Sequence, residues 1–133
     1  MTDAATRHSA PRILVVDDSS LVRLYYRDAL EPAGFEIDQA INGIEALEKV
    51  LAKPFDLIIV DVNMPRMDGF SFLRVLRAQA SDASSIPVVV ISTEAGPQDI
   101  EDARAAGANY YLVKPVSETA LRDHAAVLAG RAA

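Results

Sequence analysis

The chain contains no cysteine in its 133 residues, so a disulfide framework is excluded. That composition is compatible with a reducing compartment, and we expect a cytoplasmic location. Runs of apolar residues are all too short to supply the roughly 20 residues of a transmembrane helix. The first eleven residues also lack the apolar segment of a secretory signal. We therefore expect residues 1–11 to form a mobile tail and the chain to have no membrane contact.

Positive charge is also scarce, because 13 lysines and arginines face 19 aspartates and glutamates and give a net charge of −6. An acidic surface repels phosphate backbones, which argues against nucleic acid as a direct partner. The charge is compatible with a soluble monomer. It also leaves open that some carboxylates cluster around a cation.

Short apolar runs alternate along the chain with amphipathic stretches of helical spacing. The runs predict strands at residues 13–16, 35–40, 57–60, 88–91 and 110–113. The spacing predicts a first helix with Leu21, Leu24, Tyr25 and Ala29 on its apolar face, ending near Pro32, which should fray or kink its last turn. A second helix at residues 43–51 should bury Ile44, Leu47, Val50 and Leu51, and a third should bury Phe70, Leu73 and Leu76. Gly107 should end the fourth helix, and Ser117 should cap the fifth.

Strands that alternate with helices predict an α/β fold, with a parallel sheet covered by helices on both faces. We assign residues 12–130 to this one domain and expect no effector domain, since the chain ends soon after the fifth helix. In such sheets, ligands bind beyond the carboxyl ends of the strands. The residues that follow the first, third, fourth and fifth strands should therefore share one edge: Asp17 and Asp18; Asp61 and Asn63; Ser92, Thr93 and Glu94; Lys114 and Pro115.

Three carboxylates at one edge repel each other, and a hard divalent cation removes that conflict. Mg²⁺ prefers oxygen ligands and is usually held by one or two carboxylates together with phosphate oxygens. A phosphoryl group on Asp61, the central carboxylate, would find the metal, Lys114 and the Ser92 hydroxyl to neutralise its oxygens. Aspartyl phosphates are an established type of covalent intermediate.

Four sequence segments resemble the signatures of response-regulator receiver domains. They are VVDD at residues 15–18, DVNMPRMDG at 61–69, PVVVIS at 87–92 and YLVKP at 111–115. The resemblance extends over about residues 12–129. It implies a doubly wound, flavodoxin-like parallel sheet of five strands in the order 2-1-3-4-5, with five helices.

The resemblance also implies a role for each matching residue. Asp61 would be the phosphoacceptor, and Mg²⁺ would be held by Asp17, Asp18, Asp61 and the backbone carbonyl of Asn63. Lys114 would contact the phosphoryl oxygens. The Lys114-Pro115 peptide that follows the fifth strand would be cis. Ser92 and Tyr111 would form the switch, while Asn63, Thr93 and Glu94 would tune dephosphorylation.

Asn63, Glu94 and the absence of an effector domain resemble stand-alone, CheY-like chemotaxis members. The implied partners are a histidine kinase or phosphotransfer protein and a downstream protein that binds the face of the fourth helix, fifth strand and fifth helix. The chain would then be no enzyme beyond its own phosphorylation and dephosphorylation.

Several alternatives stay open from the residues alone. A phosphate sink or a phosphorelay intermediate would use the same site. A Mg²⁺-dependent phosphatase of the haloacid-dehalogenase type also uses an aspartate nucleophile, but it needs a second aspartate at the position of Asn63. A flavin-binding module should offer glycine or hydroxyl residues after the first strand, where this chain has two carboxylates. A degenerate receiver domain that takes no phosphate is disfavoured, since the chemical residues are all present.

Overall fold

Five short parallel strands form one sheet in the order β2-β1-β3-β4-β5, as expected. The computed structural model describes residues 10–64 and 66–130, so the predicted tail lies outside the described part except for its last two residues. The strands are β1 (Arg12–Val16), β2 (Glu36–Ala40), β3 (Leu57–Asp61), β4 (Val88–Ser92) and β5 (Tyr110–Val113). β1, β3 and β4 lie inside the sheet and are almost entirely buried, which explains their continuous β-branched runs.

Five α-helices connect the strands or follow them within the described residues. They are α1 (Ser20–Leu30), α2 (Gly43–Ala52), α3 (Gly69–Arg77), α4 (Pro97–Ala106) and α5 (Glu118–Ala129). Ser117 caps α5 by accepting a hydrogen bond from the Ala120 N–H, and Gly107 ends α4 with a φ of 115°. Both predicted caps are therefore confirmed. Among the described helices, none has the length and apolar character needed to cross a membrane.

Two apolar layers lie on opposite faces of the sheet because successive strand residues point to opposite sides. Ile13, Val15, Ile59 and Ile91 pack with Leu121 and with residues of α1 on one face. On the other face, Leu14 and Val60 belong to a layer with residues of α2, α3 and α4. The helices are thus shared between the two faces, as a doubly wound fold requires.

The predicted apolar face of α1 is confirmed at Ala29 and is wrong at its other three residues. Leu21, Leu24 and Tyr25 are 77%, 44% and 39% exposed, whereas Tyr26, Ala29 and Leu30 are buried. α1 also ends at Leu30, and Pro32 lies in a separate 3₁₀ turn at Glu31–Ala33, so the proline does not kink the helix. The helix carries apolar residues on more than one side, and its position on the sheet selects which side is buried.

The buried face of α2 is also rotated from the prediction. Val50 is buried as predicted, together with Gly43 and Ala46, and Leu47 is partly buried. Ile44 and Leu51 are 38% and 56% exposed. A Cβ atom at Gly43 would lie only 2.7 Å from Cγ of Met67, so the small residue lets the loop after β3 pack against the start of α2. In α3, Phe72 is buried with Leu73 and Leu76, and the predicted Phe70 is only partly buried.

Two polar clusters tie elements together away from the strand ends. Asp38 of β2 pairs with Lys49 at 3.0 Å and with Lys53 at 2.9 Å. Arg77, at the end of α3, donates hydrogen bonds to four neutral oxygens, all within 3.0 Å: the backbone carbonyls of Ser84, Ile86 and Gly107 and the side chain of Asn109. Arg77 thereby links α3 to the segment before β4 and to the α4–β5 connection.

Candidate functional site

Three carboxylates converge beyond the carboxyl ends of β1 and β3. Oxygen atoms of Asp17, Asp18 and Asp61 all lie within 4.8 Å of one another, a group that can hold a metal ion. Asp17 is only 2% exposed, Asp61 is mostly buried at the last position of β3, and Asp18 is exposed. The β1–β3 register aligns Val16 with Val60, so the carboxylates that follow these residues meet at one edge.

Asp17 has one satisfied and one unsatisfied carboxylate oxygen. Its Oδ1 accepts a hydrogen bond from the Ser19 N–H at 2.9 Å. Its Oδ2 is buried and has no hydrogen-bond partner among residues 10–64 and 66–130. Burial raises the pKa of Asp17, the Ser19 N–H acts in the opposite direction, and the Asp61 carboxylate raises the pKa further. A buried carboxylate oxygen without a donor is costly unless a cation faces it.

Lys114 is the cation that stands beside these carboxylates. Its Nζ lies 3.5 Å from Oδ1 of Asp61 and 3.8 Å from Oδ2 of Asp17. Burial raises the pKa of Asp61, although the Lys114 ammonium opposes that shift. The Lys114 N–H donates to the Ser92 carbonyl at 2.8 Å, and the Lys114-Pro115 peptide is cis, as the resemblance implied. One lysine against three carboxylates leaves a local excess of negative charge.

Ser92 ends β4 next to this group. It is 1% exposed, and its Oγ accepts a hydrogen bond from the Glu94 N–H at 3.1 Å. Thr93 and Glu94 are exposed in the following loop. The Tyr111 hydroxyl donates to the Glu94 carbonyl at 2.7 Å, so the β4–α4 loop is bound both to Ser92 and to the half-buried ring on β5.

The loop after β3 passes very close to the backbone of Asp61. The Gly69 N–H donates to the Val62 carbonyl at 3.0 Å, and a Cβ atom at Gly69 would lie 2.5 Å from the Asp61 carbonyl oxygen. Only glycine fits this approach without moving the backbone. Asn63 is exposed in the same loop. The loop geometry is therefore set by contact with Asp61 itself.

Sequence reasoning missed a groove between α1 and the β5–α5 loop. The groove has a volume of about 610 Å³, and we call it the α1 groove; its walls are Leu21, Val22, Tyr25, Tyr26, Pro115 and Val116. Lys114 and Thr93 line it as well, so it is continuous with the acidic site. The Tyr25 hydroxyl donates to the Val116 carbonyl at 2.7 Å and holds the two walls together. The adjacent tyrosines were visible in the sequence, but their opposite orientations were not.

Comparisons with known proteins agree with this geometry. The sequence profile of the response regulator receiver domain matches residues 13–126. The chain is 36% identical to the chemotaxis protein CheY4 of Vibrio cholerae, whose structure superposes with a TM-score of 0.83 over 89% of this chain and 98% of that one.

Curated relatives include longer proteins. The chain is 43% identical to the transcriptional regulatory protein PrrA of Mycobacterium leprae over 80% of this chain, and 38% identical to the sensor protein EvgS of Escherichia coli K12 over 84% of it. These matches span 45% and 9% of the two proteins, so the chain corresponds to less than half of either. Receiver domains interact with histidine kinases and with downstream targets in two-component systems. With its matched profile and its five-stranded fold, this chain belongs to the response regulator receiver domain family.

Proposed function

We propose that the chain accepts a phosphoryl group on Asp61 from a phosphohistidine of a kinase or phosphotransfer protein. The observation that carries this proposal is the buried Oδ2 of Asp17, which has no hydrogen-bond partner in the described part of the chain and lies 3.8 Å from Nζ of Lys114. Three carboxylates against one lysine leave an excess of negative charge, which a divalent cation would balance before an anionic phosphoryl group arrives. We assign the chain to the CheY-like regulators, acting as a monomer in the cytoplasm with no nucleic-acid partner.

The site residues fit Mg²⁺. All available donors are oxygens, and three carboxylate oxygens within 4.8 Å suit a small, hard cation that keeps part of its water shell. Asp17, Asp18, Asp61 and the backbone carbonyl of Asn63 would hold it. When bound, Mg²⁺ would neutralise the carboxylates and the oxygens of the phosphoryl group.

Phosphoryl transfer then needs only the groups at this edge. A carboxylate oxygen of Asp61 forms a bond to phosphorus, the phosphorus–nitrogen bond of the donor breaks, and its electron pair stays on the imidazole nitrogen. The Lys114 ammonium and the Ser92 hydroxyl bind the transferred oxygens. In a separate hydrolysis step, water attacks phosphorus, the bond from phosphorus to the Asp61 oxygen breaks with its electron pair left on that oxygen, and inorganic phosphate is released. We propose that Asn63, Thr93 and Glu94, which are exposed in the loops after β3 and β4, set the rate of this hydrolysis.

Phosphorylation of Asp61 would also change a protein-binding face. To reach a phosphoryl oxygen, the Ser92 hydroxyl must leave the Glu94 N–H, which loosens the loop that also holds Tyr111. Tyr111 borders a groove of about 320 Å³ with Ile100, Ala103 and Tyr110, between α4 and β5. A full reversal of a two-state equilibrium needs about 5.5 kcal/mol, and one charge-assisted hydrogen bond contributes about half of that or less. Binding of a downstream partner to the α4–β5–α5 face would supply the remainder.

A phosphate sink or phosphorelay intermediate is the second candidate, because it needs the acidic site but no output face. The half-buried Tyr111, hydrogen-bonded to the loop after Ser92, favours a switch over a simple sink. A phosphatase of the aspartate-nucleophile class is disfavoured, because Asn63 stands where a second carboxylate would be needed as acid and base.

Phosphorylation can be tested by intact-mass measurement after incubation with acetyl phosphate and Mg²⁺. The wild-type chain should gain the mass of one phosphoryl group, and Asp61→Asn should gain none. Asp68→Asn is a matched control, since Asp68 is an exposed cap in the same loop and asparagine caps a helix equally well. Equal mass gain in Asp61→Asn and in the wild-type chain would refute Asp61 as the acceptor.

The switch can be tested by NMR on the free chain and on the chain with Mg²⁺ and beryllofluoride, a phosphoryl mimic. Chemical-shift changes are expected at Ile100, Ala103 and Tyr111 as well as at the strand ends. Tyr111→Phe should reduce the changes on α4, because the hydrogen bond to the Glu94 carbonyl is then lost. Changes confined to the acidic edge would contradict the switch and favour the sink.

A further inference from the structure

We propose that the α1 groove binds the leaving group of a small phosphodonor and that the Tyr26 hydroxyl donates a hydrogen bond to that group. The inference rests on the proposed function, because it names the class of small donor that Asp61 takes most readily. That class is the acyl phosphates with a planar, apolar acyl group.

The groove offers an apolar chamber beside the reacting carboxylate. Leu21, Pro115 and the ring of Tyr25 are exposed along it, and Lys114 and Thr93 line it too. Lys114 also lies 3.5 Å from Asp61, so one side chain borders both the acceptor and the groove. A donor whose phosphoryl group sits at Lys114 can therefore place its organic part against the apolar walls. At about 610 Å³, the groove has far more room than an acetyl group fills.

Tyr26 supplies an unused polar group in this chamber. Its side chain is 4% exposed and lines the groove, yet its hydroxyl makes no hydrogen bond within the described part of the chain. By contrast, the hydroxyl of the neighbouring Tyr25 donates a hydrogen bond to the Val116 carbonyl. The two rings meet edge to face at 5.9 Å, which fixes the orientation of Tyr26. A ligand atom that accepts from this hydroxyl would add a hydrogen bond in a position sheltered from solvent.

The chemistry of an acyl phosphate matches this placement. A carboxylate oxygen of Asp61 forms the new bond to phosphorus, the bond between phosphorus and the acyl oxygen breaks, and the electron pair stays on that oxygen as a carboxylate. The Tyr26 O–H donates a hydrogen bond to the carboxylate without giving up its proton. Burial raises the pKa of Tyr26, and the Asp17 and Asp61 carboxylates raise it further, so the phenol stays protonated at neutral pH.

The test compares second-order rates of autophosphorylation with benzoyl phosphate and with acetyl phosphate, both with Mg²⁺, followed by intact mass. The ratio of the two rates is compared between variants, so the intrinsic reactivity of the donors cancels. Tyr26→Phe keeps the ring and should lower the rate with both donors by about fivefold to tenfold, because both leaving groups are carboxylates that accept from the hydroxyl. Leu21→Ser removes part of an exposed wall and should lower the benzoyl-to-acetyl ratio by about threefold. Val127→Ser is the control, because Val127 is 81% exposed on α5 and lies outside the groove.

A second measurement does not depend on turnover. Phenylphosphonate, which cannot transfer its phosphorus, should bind with Mg²⁺ and shift NMR signals of Tyr26 and Val116, whereas methylphosphonate should leave them unchanged. Unchanged rates in Tyr26→Phe, an unchanged benzoyl-to-acetyl ratio in Leu21→Ser, or equal shifts with both phosphonates would overturn the subsite. If neither acyl phosphate modifies Asp61, the proposed function itself fails, and that result is distinct from loss of the preference alone.

Discussion

Asp17→Asn is expected to stabilise the metal-free protein while it weakens the metal site. Asparagine has the shape of aspartate, and its carbonyl oxygen can still accept the Ser19 N–H. The substitution removes a buried negative charge whose Oδ2 lacks a partner in the described structure. Its new amide N–H can donate toward Asp61, which replaces a repulsive contact by an attractive one.

The size of the effect follows from the charges around Asp17 and from the burial of its carboxylate. At the carboxylate separation of 4.8 Å or less, each repulsive pair costs about 3.5 kcal/mol at an effective dielectric constant of about 20. Attraction to Lys114 at 3.8 Å returns about 4 kcal/mol, and solvent screens the pair with the exposed Asp18, so the Coulomb terms nearly cancel. The gain then comes from removing the cost of burying the charge, which is the largest cause of the raised pKa of Asp17. We expect a gain of about 1–2 kcal/mol in the free energy of unfolding, or about 4–8 °C in melting temperature.

The assay is chemical and thermal unfolding in EDTA and in Mg²⁺. The wild-type chain should gain about 1.4 kcal/mol at a Mg²⁺ concentration ten times its dissociation constant, and Asp17→Asn should gain much less. Asp123→Asn, an exposed carboxylate on α5, should behave like the wild-type chain in both solutions. The reasoning is refuted if Asp17→Asn is no more stable in EDTA than this control.

Three further results are expected. Partial burial alone would raise the pKa of Asp38, but its two lysine partners lower it to about 2. The ionised carboxylate therefore stabilises the fold fully above about pH 4, and this stabilisation is lost as the pH falls through about 2. The wild-type chain should exceed Asp38→Asn by about 1–2 kcal/mol in the free energy of unfolding at neutral pH. Acid titrations of unfolding should show this difference shrinking between about pH 4 and pH 2. Arg77→Met should cost about 2–3 kcal/mol in urea unfolding, because four acceptors lose their donor, whereas Arg74→Met on the exposed side of α3 should cost almost nothing. Gly69→Ala should cost about 1–3 kcal/mol and slow the phosphorylation of Asp61 by acetyl phosphate, because the new methyl group collides with the Asp61 carbonyl; unchanged values of both would contradict the close approach.

The local pattern of apolar and polar residues was sufficient to predict the order of strands and helices and the location of the acidic site. Strand runs such as residues 57–60 are β-branched and bounded by polar residues, and this signal survives in any tertiary context. Because parallel strands end at one edge, residues that follow β1, β3 and β5 had to meet. The convergence of Asp17, Asp18, Asp61 and Lys114 was therefore predictable without coordinates. The strand order itself came from family resemblance, since several orders satisfy the same local pattern.

The orientation of the helices was decided only by the tertiary structure. α1 has apolar residues around most of its circumference, so its sequence allows Leu21 and Tyr25, or equally Tyr26 and Leu30, to face the sheet. The crossover from β1 to β2 determines which set is buried, and that choice depends on contacts with residues about 90 positions away, such as Val116. The same long-range packing created the α1 groove and left the Tyr26 hydroxyl within it. Periodicity reports that a helix has an apolar face, but when more than one face is apolar, only the packing of the whole sheet selects between them.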